Sequence, residues 1–254
     1  MRTSTGRAPL AAAGGLLLLA LGTAGCAGTD SGTVPHGPPG ASPGRRQLPA
    51  GGHLIVTTEG GVRLVGSAGH GVTVAGGTKA DWSGEGATRT LDLPCGQADR
   101  DACSGVSVVH VPSDASVTVR ARTAGVDVSD VHGSLDLTTV DGDVTVEDAG
   151  RSHGTDRLTT RNGSVRVVGL GGGRIEAQTV NGDVELACAT SPTAVRGVTR
   201  NGSVRLALPA TAPSYLTEAT TVNGTATVEV PARGADGHRL TLRTVNGDVE
   251  AHRG

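Results

Sequence analysis

Thr179-Val180-Asn181-Gly182-Asp183-Val184 is one instance of a phrase that decides the fold. Thr, any residue, Asn or Asp, then Gly also ends at Asp141-Gly142, Asn162-Gly163, Asn201-Gly202, Asn223-Gly224 and Asn246-Gly247. Each Asn or Asp stands 19 to 23 residues after the one before. A period of this size marks a repeat architecture, in which each unit buries its apolar face by stacking on its neighbours.

The flanks alternate. Three and five residues after the turn come pairs such as Val144 and Val146, Val165 and Val167, or Val184 and Leu186. Four and six before it come Leu137 and Leu135, Ala177 and Ile175, or Leu242 and Leu240. Polar residues fill the places between, which is the period-2 pattern of strands with one buried face. Asn-Gly supplies the positive backbone dihedrals that a tight corner needs, and it is equally a hairpin signal, so an antiparallel meander or sandwich also fits.

The outward positions favour stacking. Five residues before the turn the series runs Asp136, Arg157, Glu176, Arg196, Glu218, Thr241, and four after it Thr145, Arg166, Glu185, Arg205, Thr227, Glu250. Like charges are never consecutive. Stacked coils hold equivalent residues about 4.8 Å apart, where like charges in register would repel. Two after the turn the series is Asp143, Ser164, Asp183, Ser203, Thr225, Asp248. The predicted fold is therefore all-β: a parallel β-solenoid, single-stranded β-helix-like, with one coil of about 20 residues per repeat. Upstream, Val117, Val119 and Ala121, a turn at Ala124-Gly125, then Val126 and Val128 read as an earlier coil. Short β runs from His53 to Val74 are expected to form an N-terminal β cap.

The first residues read as a processing segment. Arg2 and Arg7 precede an apolar stretch from Leu10 to Leu21, followed by Gly22-Thr23-Ala24-Gly25-Cys26. Small residues before the cut suit a secretory signal, and the apolar run is short for a membrane span. Ala-Gly-Cys resembles the lipobox of bacterial lipoproteins, although Thr23 stands where Leu is usual. That resemblance implies cleavage before Cys26 and acylation of its thiol, whereas an ordinary cleaved signal would leave Cys26 incidental. Residues 27–50 are rich in Gly, Pro, Ser and Thr and read as a flexible tether with an end-to-end distance of roughly 25–30 Å. The expected organisation is a lipoprotein signal peptide over 1–25, the lipidated Cys and tether over 26–50, and the repeat domain over 51–254, clearest from 131. The location it implies is the outer face of the bacterial cytoplasmic membrane.

Composition narrows the function classes. The chain has 254 residues with 41 Gly, one Trp, one Tyr and no Phe, and its formal charge is −2. No basic field suggests nucleic acid. Cys95 and Cys103 bracket a polar loop and are expected to pair as a disulfide in an exported protein, leaving Cys188 as a small buried residue. His132 and His153 fall on the return segments of consecutive coils, a spacing that would make them neighbours in space, but no metal-ligand spacing is present. The turn acids Asp141, Asp143, Asp183 and Asp248 recur at fixed places in the repeat. A structural register predicts that; a catalytic cluster would break it. No catalytic residue, metal or cofactor is expected.

The units Thr179 to Val184 and Thr244 to Val249, with the lead-in from Val109 to Val128, resemble the bacterial β-strand-repeat family known as "putative adhesin", over roughly residues 52–254. The resemblance implies a parallel β-solenoid in an extracytoplasmic or membrane-associated setting and brings no catalytic residues. The expected function is a membrane-anchored, non-enzymatic binding or scaffolding protein. Its partners would be membrane lipid through acylated Cys26, an unknown envelope or surface partner, and a second copy through the solenoid end. A carbohydrate-active β-helix enzyme and a passive structural spacer are the alternatives.

Overall fold

The computed structural model describes residues 45–75, 79–94, 105–150, 153–171, 173–232 and 237–254. The described strands are β1 (Arg45–Gln47), β2 (His53–Thr58), β3 (Gly61–Ser67), β4 (Gly71–Val74), β5 (Asp81–Ser83), β6 (Thr88–Leu93), β7 (Val106–Pro112), β8 (Ser116–Arg120) and β9 (Val126–Ser129). They continue as β10 (Leu135–Thr138), β11 (Val144–Glu147), β12 (Thr155–Thr159), β13 (Val165–Leu170), β14 (Arg174–Gln178), β15 (Val184–Cys188) and β16 (Ala194–Val198). The last are β17 (Val204–Leu208), β18 (Leu216–Thr220), β19 (Ala226–Glu229), β20 (Arg239–Arg243) and β21 (Val249–Arg253).

Each repeat is one coil. A strand in one sheet leads into the Thr-x-Asn-Gly corner, and a strand in the second sheet follows. One sheet runs β18-β20-β16-β14-β12-β10-β8-β2-β6-β5, and the other β1-β4-β7-β3-β9-β11-β13-β15-β17-β21-β19. Consecutive coils pair in parallel with Val144 on Val165 on Val184 on Val204, and the register slips by one residue at a bulge between Val168 and Leu170 at the end of β13. This is the two-sheeted parallel solenoid that the charge register favoured, and the meander is excluded.

The inward residues make the core. Leu135, Leu137, Val144, Val146, Leu158, Val165, Ile175, Val184 and Leu240 are all buried. With no Phe in the chain, aliphatic side chains of matched size fill a thin interior, and identical residues in adjacent coils pack without alternating bulk. Thr139, Thr160, Thr179, Thr199 and Thr244 are buried as well.

The order of coils departs from the order of the chain at both ends. The final coil, β20 and β21, lies between β16/β17 and β18/β19. The earlier coil β18/β19 is therefore the outermost. Apolar content explains the inversion. The final coil turns Leu240, Leu242, Val249 and Ala251 inward, all buried, while the outer coil offers only Thr217, Ala219, Ala226 and Val228 at those places. Placing the poorer set at the solvent end buries more apolar surface.

The other end follows the same rule. β2 and β3 form a full coil between β6/β7 and β8/β9. The runs from His53 to Ser67 are thus an interior coil, and among the segments expected in the cap, Val72 to Val74 is the one that caps. It lies in β4, which adds antiparallel to β7, and β1 adds antiparallel to β4. β5 closes the other sheet, antiparallel to β6. β1 and the fully buried Leu48 stand just upstream of residue 51.

Removing residues 239–254 deletes an interior coil and leaves β17 and β19 a coil's width apart. The truncated chain is expected to lose its cooperative thermal transition by circular dichroism. A melt like that of the intact chain would show that the inserted coil is dispensable.

Candidate interaction surfaces

The Thr-x-Asn-Gly corner is a hydrogen-bonded column. Each Asn amide donates to the side chain of the neighbouring coil: Asn162 to Asp141 at 2.7 Å, Asn181 to Asn162, Asn201 to Asn181 and Asn246 to Asn201 at 2.8 Å, and Asn223 to Asn246 at 2.7 Å. The column has one polarity, and it ends on Asp141, a carboxylate that only accepts. Beside it, five of the six corner Thr hydroxyls donate to a Gly carbonyl of the adjacent coil, as in Thr179 to Gly163 and Thr244 to Gly202, and Thr139 donates to the Ala124 carbonyl.

The glycines answer a packing demand more than a turn demand. The Asn residues keep ordinary backbone angles, because Asp130 and Asp148 are the described non-glycine residues with positive φ. Only the Gly departs, with φ of 147° at Gly182. A Cβ on Gly182 would overlap the Gly163 carbonyl, and one on Gly202 the Gly182 carbonyl. The neighbouring backbone occupies the place of the missing side chain.

The turn acids are structural. Asp143 accepts the Ser164 amide at 2.7 Å, Asp183 the Ser203 amide at 2.7 Å, and Asp248 the Thr225 amide at 2.8 Å. The hydroxyls of Ser164 and Ser203 accept the amides of Asp183 and Asp248 in turn. In space the series reads Asp143, Ser164, Asp183, Ser203, Asp248, Thr225, a strict alternation of carboxylate and hydroxyl. In chain order the last two are reversed, and that phase break was the sequence signal for the inverted coils.

The outer faces carry ion pairs. Glu185 bridges Arg166 at 3.0 Å and Arg205 at 3.4 Å, and Arg205 reaches Glu250 at 3.6 Å. Arg157 meets Glu176 at 3.1 Å and Arg63 meets Asp127 at 3.1 Å, while Arg243 pairs with Glu218. These side chains are largely exposed, so each pair adds only about 0.2–1 kcal/mol. Their effect is to make both faces charge-mixed.

His132 and His153 line one surface cavity of about 750 Å³ with Asp148 and Gly169. They are brought together as the coil spacing suggested. Among the described residues, no three His, Cys, Asp or Glu side chains gather as a metal site requires. Cys26, Cys95 and Cys103 lie outside the described residues. Cys188 is a free, buried thiol, and burial pushes its pKa from 9.0 up to about 12. Tyr215, fully buried, donates to the Pro192 carbonyl at 2.9 Å and meets the His238 ring edge-on at 5.2 Å between centroids. Burial, and then the nearby Cys188, raise its pKa to about 12, opposed by a hydrogen bond with Ser191.

The two ends of the stack differ. One is covered by β1, β4 and β5. At the other, β18 and β19 have no strand on their outer side among the described residues. Leu216, Val222 and Val228 are 47%, 74% and 37% exposed there. The sequence points to a solenoid end as a place for a second copy without revealing that β18 and β19, rather than the final coil, form it.

Corners, registers and two parallel sheets define the chain as a two-sheeted β-solenoid of stacked repeats. Residues 106–251, more than half of the chain, match the Toastrack DUF4097 family, and the chain belongs to it. It is also similar to a solved structure described as a "putative cell adhesion protein from Clostridium sporogenes ATCC 15579". The identity is 8% and the TM-score 0.31, over 83% of this chain and 98% of that one. No curated protein matches the sequence.

Gly182→Ala is expected to destabilise the protein by about 2 kcal/mol or more, read by urea unfolding, because backbone must move to admit the methyl. Gly86→Ala, in a turn with open space around it, is the comparison and should cost about 1 kcal/mol. Equal losses at both sites would sink the stacking explanation.

A second expectation concerns alkaline pH. The unfolded chain ionises Cys188 near its ordinary 9.0 while the folded chain holds the proton to about 12. Stability is thus unaffected by this group below pH 9 and falls as pH rises towards 12, by up to about 1.4 kcal/mol per pH unit. Urea titrations of wild type and Cys188→Ala at several alkaline pH values should show a shallower decline in the variant.

Proposed function

We propose that this protein is a membrane-anchored extracytoplasmic lipoprotein whose β-solenoid binds or scaffolds partners at the cell envelope without catalysing a reaction. The observation that carries the reading is the use of the corner acids. Asp143, Asp183 and Asp248 each accept a backbone amide of the neighbouring coil, and Asp141 ends the Asn column. An enzyme of the β-helical carbohydrate-active kind would hold acids out of register in a cleft, with carboxyls free to exchange protons. Here the outward chemistry is charge-mixed sheet, a surface suited to contact.

The anchor rests on the first residues. Residues 1–25 serve as the signal peptide, acylated Cys26 holds the membrane, and the residues between Cys26 and β1 tether the repeat domain, since β1 and the buried Leu48 already belong to the fold. Each buried methylene of an acyl chain adds about 0.8 kcal/mol, and stable anchoring takes more than one chain. The resemblance to adhesin-like β-strand repeats supports the same setting.

Intact mass and membrane fractionation of the chain expressed in a bacterial host, with and without Cys26→Ala, test the proposal. A diacylglycerol-sized increment on a chain that starts at Cys26, and its release from membranes by the substitution, are expected. An unmodified chain in the medium would overturn the anchor and leave a diffusible protein.

A further inference from the structure

Among the described residues, the end formed by β18 and β19 has no strand on its outer side, and its inward-facing Ala226 and Val228 have no coil above them. Native proteins guard such edges with Lys, bulges or covering segments. The opposite end has its covering strands, but this one carries no Lys or Arg between residues 206 and 232. Its acids are Glu218, already paired with Arg243, and Glu229.

We propose that this end is a self-association face that joins two copies of the chain through antiparallel β18–β18 and β19–β19 pairing about one two-fold axis. Register supports this occupant. Pairing about Thr227 sets Ala226 against Val228 of the second copy, both facing the core, and Glu229 against Thr225. Pairing about Ala219 sets Glu218 against Thr220 and Leu216 against Val222. No like charges meet in either sheet. Ala219 and Thr227 each stand four residues from Asn223, on opposite sides of the corner, so a single axis serves both sheets.

A head-to-tail filament fits less well. Asn223 donates to Asn246 and leaves its own carbonyl outward, so a continuing coil would have to bring an amide to it. The opposite end offers covering antiparallel strands in place of an Asn corner. A two-fold pair instead closes on itself. Two strands and a corner bury roughly 1,000 Å² in total, near the lower bound for a specific interface, so the dimer should form in a concentration-dependent way.

The inference is independent of the anchor and is tested on the full chain carrying Cys26→Ala, so loss of lipidation cannot imitate its failure. Light scattering across a wide concentration range should show a shift from one to two copies. Val228→Lys should hold the chain monomeric with its thermal melt unchanged. Thr227→Cys should give a disulfide-linked dimer on mild oxidation, whereas Val168→Cys, exposed on the sheet face, should not. A monomer at every concentration, or a dimer indifferent to Val228→Lys, overturns the proposal.

Discussion

The structure depends on how closely one corner can lie on the next. Adjacent coils stand about 4.8 Å apart, and at the corner a glycine of one coil receives the backbone carbonyl of its neighbour where a side chain would project. The same carbonyl accepts the Thr hydroxyl. Thr, Asn and Gly are thus three parts of one contact. Thr satisfies a half-buried carbonyl, Asn spans the exposed side of the column, and Gly lets both happen at strand spacing. A typical hydrogen bond contributes about 0.5–1.5 kcal/mol, and its repetition at every corner matters against the small margin by which a domain is folded.

This contact also governs what the surface can offer. Residues at the corner are committed to holding coils together, so the acids there have little freedom for chemistry. The sheet faces repeat every coil, and alternating Arg and Glu keep them soluble without a field of either sign. Distinct features arise only where the repeat ends or loops out: the His132 and His153 cavity on the return side, the buried Tyr215 and Cys188 region, and the bare edge of β18 and β19.

Much of this was legible in the sequence. The Thr-x-Asn-Gly period gave the coil, alternation at Val144, Val146, Leu135 and Leu137 gave the inward face, and the charges at Arg166, Glu185 and Arg205 identified parallel neighbours. The coil order was less accessible. It is written in small departures: Thr225 before Asp248 breaks the carboxylate and hydroxyl alternation, and Thr217 with Ala219 is too weakly apolar for an interior layer. Either departure alone reads as drift in a repeat. The second coil of the stack, β2 and β3, was hidden because its corner at Thr58-Glu59-Gly60 lacks the Asn. The caps were only partly visible, since β1 and β5 are three residues long, too short for alternation to stand out.

The inverted order at the end of the chain has a consequence for assembly. A polypeptide emerging from its amino end presents β18 and β19 before β20 and β21 exist. The earlier coil cannot take its final neighbours at that stage, and the closing segment must enter between two sets of strands already made. Completion of this end therefore waits for the last residues of the chain, and until they arrive β16 and β17 lack a neighbour on one side. The inversion thus makes the end of the chain the keystone of its end of the stack, since the outermost coil is joined to the rest only through residues that follow it in the chain.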